Sequence, residues 1–139
     1  MGRTVGLDLG AARVGVAMDD ELGLLAHPRG VISARDRKTL LEHLKRLVNA
    51  QDVTRFVVGL PLDMSGGEGD AARKARAFGA ILTKATQRPV EFWDERLTTA
   101  QAHRVLAASD VRGRRAKERV DEVAACTILQ AWLDAHRDS

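Results

Sequence analysis

Apolar side chains occupy every second position in two short runs near the start of the chain, separated only by Gly10-Ala-Ala-Arg13. In the first run Val5, Leu7 and Leu9 point one way and Gly6 and Asp8 the other. In the second, Val14, Val16 and Met18 alternate with Arg13, Gly15 and Ala17. A period of two is the pattern of a strand, and two such runs around a glycine-bearing turn predict a β-hairpin. A further extended segment from Arg29 to Ser33 would complete a three-stranded meander, with Pro28 limiting where its pairing begins.

From about Asp36 the period lengthens. Leu40, Leu41, Leu44, Leu47 and Val48 recur at helical steps, the stripe of an amphipathic helix. Phe56-Val-Val-Gly59 is a short apolar run suited to a strand buried on both faces, and Leu60 to Gly69 is a loop holding Pro61 and three glycines. Asp70 to Thr86 patterns as a helix, Pro89 to Trp93 as a strand and Thr98 to Ala108 as a helix. A last helix runs from about Lys117 to His136. The order β-β-β-α-β-α-β-α-α gives an α/β fold: a five-stranded mixed sheet, an antiparallel meander followed by parallel strands, with helices on both faces. With 139 residues and no linker, repeat or low-complexity tract, a single domain over residues 1–139 is expected.

A composition of 45% hydrophobic and 29% charged residues excludes a disordered chain. Cys126 is the single cysteine, which excludes an intramolecular disulfide and a cysteine-based zinc site. No apolar run approaches the roughly 18 residues of a spanning helix, and the N-terminus lacks a signal-peptide core, so a cytoplasmic location with no membrane partner is expected. The net charge of +3 is modest, but the basic residues cluster: five of the eight residues from Arg112 to Arg119 are Arg or Lys. Two Trp, three Phe and no Tyr disfavour a platform on which successive bases stack.

Three carboxylates stand where packing alone does not call for them. Asp8 lies in the middle of the first strand between Gly6 and Gly10, where small neighbours leave room for a metal ion and a phosphate; the plainer role is an Asx-type start to the hairpin turn. Glu95 follows the end of a strand expected to be central, where ligand groups gather in α/β sheets, or else belongs to a solvated Asp-Glu-Arg turn. Asp121 sits at the edge of the buried stripe of the last helix, beside Ala124, Ala125 and Ile128, or is simply an acid favoured by the helix dipole. Three carboxylates converging from a strand, a strand end and a helix would form the oxygen ligand set preferred by Mg²⁺ or Mn²⁺. The four histidines have no ligand spacing. No phosphate-binding P-loop or Gly-x-Ser-x-Gly nucleophile motif occurs.

Val5-Gly-Leu-Asp-Leu-Gly10 with Arg13-Val-Gly-Val-Ala17, Val58-Gly-Leu-Pro61, Trp93-Asp-Glu-Arg-Leu-Thr-Thr99, and Val120-Asp-Glu-Val-Ala-Ala125 with Ile128-Leu-Gln130 together resemble the YqgF/RuvX family. The four blocks follow the family's order and span nearly the whole chain. The family is similar to the RuvC Holliday-junction resolvases, so the resemblance implies a ribonuclease H-like fold. It also implies metal-dependent nuclease chemistry, with Asp8, Glu95 and Asp121 as catalytic residues and as ligands of one or two Mg²⁺ or Mn²⁺ ions. One ion would lower the pKa of an attacking water, and a second would stabilise the departing 3′ oxygen. RuvC resolvases carry a fourth carboxylate one helical turn beyond the third, where this chain has Ala124; Asp94 or a water then completes the site, or a single ion binds.

The role implied is maturation of the 5′ end of 16S ribosomal RNA, with resolution of four-way DNA junctions as the alternative. Nucleic acid is therefore the expected partner, and junction cutting would require a homodimer. Arg13 and Arg96 are candidate phosphate contacts or structural ion-pair members. Arg112, Arg114, Arg115 and Lys117 are expected to form a basic loop before the acidic helix that holds backbone phosphates. Two rival classes share parts of the pattern. Asp8-Leu-Gly10 also resembles the phosphate loop of actin-like and sugar-kinase ATPases, which need two such domains. A non-catalytic nucleic-acid-binding module would have no need of all three acids.

Overall fold

The structure, a computed structural model, describes residues 2–98 and 114–137, with side chains in the last helix described from position 120 onward. The expected hairpin is present as β1 (Arg3–Leu9) and β2 (Arg13–Asp19), followed by β3 (Ala26–Ser33). Then come α1 (Arg37–Gln51), β4 (Val53–Leu60), α2 (Asp70–Thr86), β5 (Val90–Asp94), a 3₁₀ turn (Glu95–Leu97) and α3 (Arg114–Ala135). The five strands form one sheet in the order β3-β2-β1-β4-β5. β1 is central, antiparallel to β2 and parallel to β4; β3 is antiparallel to β2, and β5 parallel to β4.

The alternation that predicts the strands also divides the core in two. Val5, Leu7, Val14, Val16, Phe56 and Val58 share one face of the sheet and pack with Leu40, Leu44 and Val48 of α1 and Ala75, Phe78 and Leu82 of α2. The opposite face presents much smaller groups. Ala17 and Val57 meet Ala124, Ala125, Ile128, Leu129, Trp132 and Leu133 of α3 there.

Local chemistry sets the helix ends. Asp36 caps α1 by accepting from the Lys38 amide at 3.2 Å and the Thr39 hydroxyl at 2.6 Å. Asp52 and Gln87 end α1 and α2 in the left-handed conformation, each amide returning to a carbonyl of the last turn.

Three boundaries differ from the sequence-based expectation. β3 begins at Ala26 rather than Arg29, with Pro28 paired to Ala17. The strand tolerates this proline because it is the sheet's edge, and its pairing with β2 is irregular between Gly15 and Ala17. β4 begins at Val53, before its apolar run. α3 begins at Arg114, so Arg114 and Arg115 belong to its first turn and not to a loop before Lys117. The helix expected over Thr98–Ala108 lies, beyond Thr98, outside the described residues, as does Arg112.

Asp19 ties the end of β2 to the start of β1. It is 5% exposed, its Oδ1 accepts from the Thr4 amide at 2.9 Å, and Arg3 donates to its backbone carbonyl at 2.8 Å. Burial is the largest influence on its carboxyl and raises the pKa above the ordinary 3.8. The native state then binds this proton more tightly than the unfolded chain, so the group's contribution to stability falls as pH rises from 3.8 through the raised value. Urea denaturation between pH 3 and 7 should show Asp19→Asn gaining stability relative to wild type above that window. The gain should disappear at the acid end.

Candidate active site

Hairpin register builds the site. Asp8 pairs with Gly15 across β1 and β2, while Leu7 pairs with Val58, so Gly59 follows beside Asp8 on the other flank. Asp8 thus stands between two glycines in one row across the sheet, on the face that α3 covers, and is 1% exposed. Adjacent strands lie about 4.8 Å apart, so whatever occupies the space over either glycine is within reach of the Asp8 carboxylate.

The other two acids fill those spaces. A β-carbon added at Gly15 would collide with the Asp121 carbonyl oxygen and stand 3.3 Å from its Cβ. One added at Gly59 would stand 2.6 Å from Glu95 Oε1 and equally close to Ile128 Cδ1. At Gly6 the intruder would meet Leu129 Cβ at 2.7 Å. Gly6 and Gly15 therefore let α3 press its backbone onto the sheet, while the space over Gly59 is filled by the Glu95 and Ile128 side chains. Glu95 itself opens the 3₁₀ turn and is 1% exposed, which removes it from the solvated-turn alternative.

The three acids flank one row of the sheet without forming a ligand set: among the described residues, no three His, Cys, Asp or Glu side chains are gathered to hold a metal ion. Asp121 is engaged by Arg13, whose Nε donates to its Oδ2 at 2.8 Å across 108 positions of sequence. Arg13 shares the α3-facing side of β2 with Gly15, so both of its expected roles bear on the same place.

At the rim, Arg96 donates from Nε and Nη2 to both oxygens of Asp94 at 2.7–3.1 Å. That hydrogen bonding holds Asp94 below the ordinary carboxylate range and raises Arg96. Asp94 also accepts from the Arg96 amide, capping the 3₁₀ turn. The Arg96 guanidinium lies against the glycine-rich loop, about 3.4 Å from where a Gly66 β-carbon would be. Both groups are therefore spoken for in this state, Asp94 by its ion pair and not by a place among the three acids. Glu68 pairs with Arg76 at 2.6 Å. Cys126 packs against the α3 core, and burial, with Glu122 nearby, pushes its thiol up to about 11, consistent with a packing residue. Positions 114, 117 and 121 recur at helical spacing along α3.

Gly15 was not singled out by the sequence pattern as a site residue, and Gly59 only as part of a rim loop that could cradle phosphate. The signal was available: counting outward from Gly10-Ala-Ala-Arg13 pairs Leu9 with Val14 and Asp8 with Gly15.

The five-stranded mixed sheet in the order β3-β2-β1-β4-β5, with helices on both faces, is the expected ribonuclease H-like fold; on it one acid lies in the central strand, one just past β5 and one on the helix resting on the sheet. The family described as "RuvX: Holliday junction resolvase" matches residues 2–135, and the chain belongs to it. A protein of Myxococcus xanthus named "Putative pre-16S rRNA nuclease" is 45% identical over 135 residues, covering 97% of this chain and 89% of that one. One of the same name from Syntrophomonas wolfei is 41% identical, covering 95% and 94%. Among solved structures, T. thermophilus RuvC in complex with a Holliday junction substrate superposes with a TM-score of 0.58 at 12% identity, covering 99% of this chain and 97% of that one. The likeness in that case is one of fold.

Gly15→Ala should force α3 off the sheet, because backbone and not a flexible side-chain end blocks the new methyl. The expected cost is about 1–3 kcal/mol, read as a fall of about 3–10 °C in Tm. Gly69→Ala, at a position with nothing within 4 Å, should cost less than about 1 kcal/mol.

Proposed function

We propose that the chain acts as one ribonuclease H-like domain over residues 1–139, hydrolysing phosphodiester bonds with Asp8, Glu95 and Asp121 as catalytic residues and holders of a divalent cation. The observation that carries this is the Gly15–Asp8–Gly59 row, with Asp121 against one glycine and Glu95 against the other. The donor set is all carboxylate oxygen, which suits Mg²⁺ or Mn²⁺ and not a softer metal. When bound there, such an ion supplies charge neutralisation at the scissile phosphate and lowers the pKa of an attacking water.

The chain's own residues do the remaining work. Asp8 is rigid because it is central in the sheet, Glu95 because it is buried at the start of a capped turn, and Asp121 because its backbone rests on Gly15. Ala124, one turn beyond Asp121, is fully buried against the sheet and contributes no fourth carboxylate. Arg114 and Lys117, together with Arg13, Arg96, Arg112 and Arg115, form the proposed nucleic-acid contact.

The substrate we favour is the 5′ extension of pre-16S ribosomal RNA, which places the protein in the cytoplasm; the names of relatives 38–45% identical support this. Among the described residues no helix is long and apolar enough to cross a membrane. The family's description supports a second reading, four-way DNA junctions cut by a homodimer, since two strands must be cut symmetrically.

Cleavage assays on precursor RNA and on a four-way junction, in Mg²⁺ and in Mn²⁺, test both. Asp8→Asn should lower the rate on the true substrate more than about 100-fold with the fold intact by circular dichroism. Equal binding with no cutting by either protein would leave a binding module. Replacing Arg114 and Lys117 by Ala should lower the slope of log Kd against log salt by about two.

A further inference from the structure

The ion pair between Arg13 and Asp121 carries an inference that rests on the proposed cation site and deepens it. The two side chains are 27% and 18% exposed, and they join through Nε at 2.8 Å rather than as a two-point fork. Asp121 cannot retreat, because its backbone lies on Gly15. Its backbone is thus held against the row, and one of its carboxylate oxygens is committed to a guanidinium. A divalent ion drawn to that oxygen would stand about 2.1 Å from it, against the Arg13 charge, so the two cations compete for one acceptor.

Arg13 has another acceptor within its reach whenever nucleic acid is bound. It begins β2 at the mouth of the hairpin, on the same sheet face as Asp8 and Gly15, where a phosphodiester approaching the acidic row would pass. A guanidinium suits phosphate as well as carboxylate.

We propose that Arg13 is an exchangeable counter-charge. In the free protein it holds Asp121; as a phosphate of the substrate enters, the guanidinium moves to a phosphate oxygen and releases Asp121 Oδ2 to the cation. No covalent bond changes, and one charge-assisted hydrogen bond replaces another. Arg13 is therefore a positioning residue that couples cation binding to nucleic-acid binding, and by linkage each ligand tightens the other. The acidic site therefore takes its cation more tightly where a phosphodiester is present.

Mn²⁺ alone, titrated calorimetrically into nucleic-acid-free protein, tests this without reference to activity. Arg13→Gln should bind Mn²⁺ about tenfold more tightly than wild type, the worth of one charge-assisted bond no longer in competition. The gain should vanish in Arg13→Gln/Asp121→Asn; a gain that survives there comes from net charge and overturns the exchange. Mn²⁺ affinity unchanged or weakened by Arg13→Gln, with binding still dependent on Asp8, overturns the exchange and leaves the cation site standing. Binding indifferent to Asp8→Asn removes the site and the exchange together.

A measurement on wild type needs no substitution. Saturating Mg²⁺ should move the nuclear magnetic resonance of the Arg13 Nε–H, and an unmoved signal contradicts the competition. For the phosphate half, Arg13→Gln should lower the salt slope of precursor-RNA binding in EDTA by about one. An unchanged slope overturns that half.

Discussion

A helix backbone can touch a sheet only where the sheet offers no side chains. Here Gly6 and Gly15 supply that bare ground on two adjacent strands, and α3 rests on it with the Asp121 carbonyl above Gly15, while the Ile128 and Glu95 side chains fill the space above Gly59. This contact fixes the height of α3, and with it the position of Asp121. It also encloses Asp8, which sits between two of the glycines. The Arg13 side chain supplies countercharge to Asp121, and a divalent cation would supply it to all three acids.

The two faces of the sheet divide the labour. Large aliphatic and aromatic groups, Leu7, Val16, Phe56 and Leu82 among them, fill the side covered by α1 and α2, where packing supplies most of the hydrophobic stabilisation. The α3 side gives up side-chain volume at its glycines in exchange for closeness, and its remaining core is carried by Ile128, Leu129, Trp132 and Leu133 toward the C-terminal half of the helix. The acidic end and the apolar end of α3 are thereby separated along one element. Gln130 reinforces the apolar end by donating to the Leu24 carbonyl and accepting from the Ala26 amide, which ties α3 to the β2–β3 hairpin.

Much of this was legible in the residues. The period-two runs located β1 and β2 to within a residue and set Asp8 opposite the large apolar face. The helical stripes located α1 and α2, and the position of Glu95 after β5 followed from the apolar run before it. What escaped the sequence pattern depends on partners distant in the chain. The early start of β3 is hidden because a proline is read as a barrier, and only its edge position makes Pro28 tolerable. The start of α3 at Arg114 is hidden because a run of charges has no apolar stripe to display a helical period. The tie between Arg13 and Asp121 joins opposite ends of the chain, and no local pattern records it.

The central claim is that Asp8, Glu95 and Asp121 share one cation over the Gly15–Asp8–Gly59 row. Anomalous diffraction from crystals of the protein bound to a nucleic acid and soaked in Mn²⁺ tests it most directly. The expected result is a manganese peak bounded by oxygens of all three carboxylates. A peak elsewhere, or a filled site that excludes Glu95 or Asp121, would contradict it.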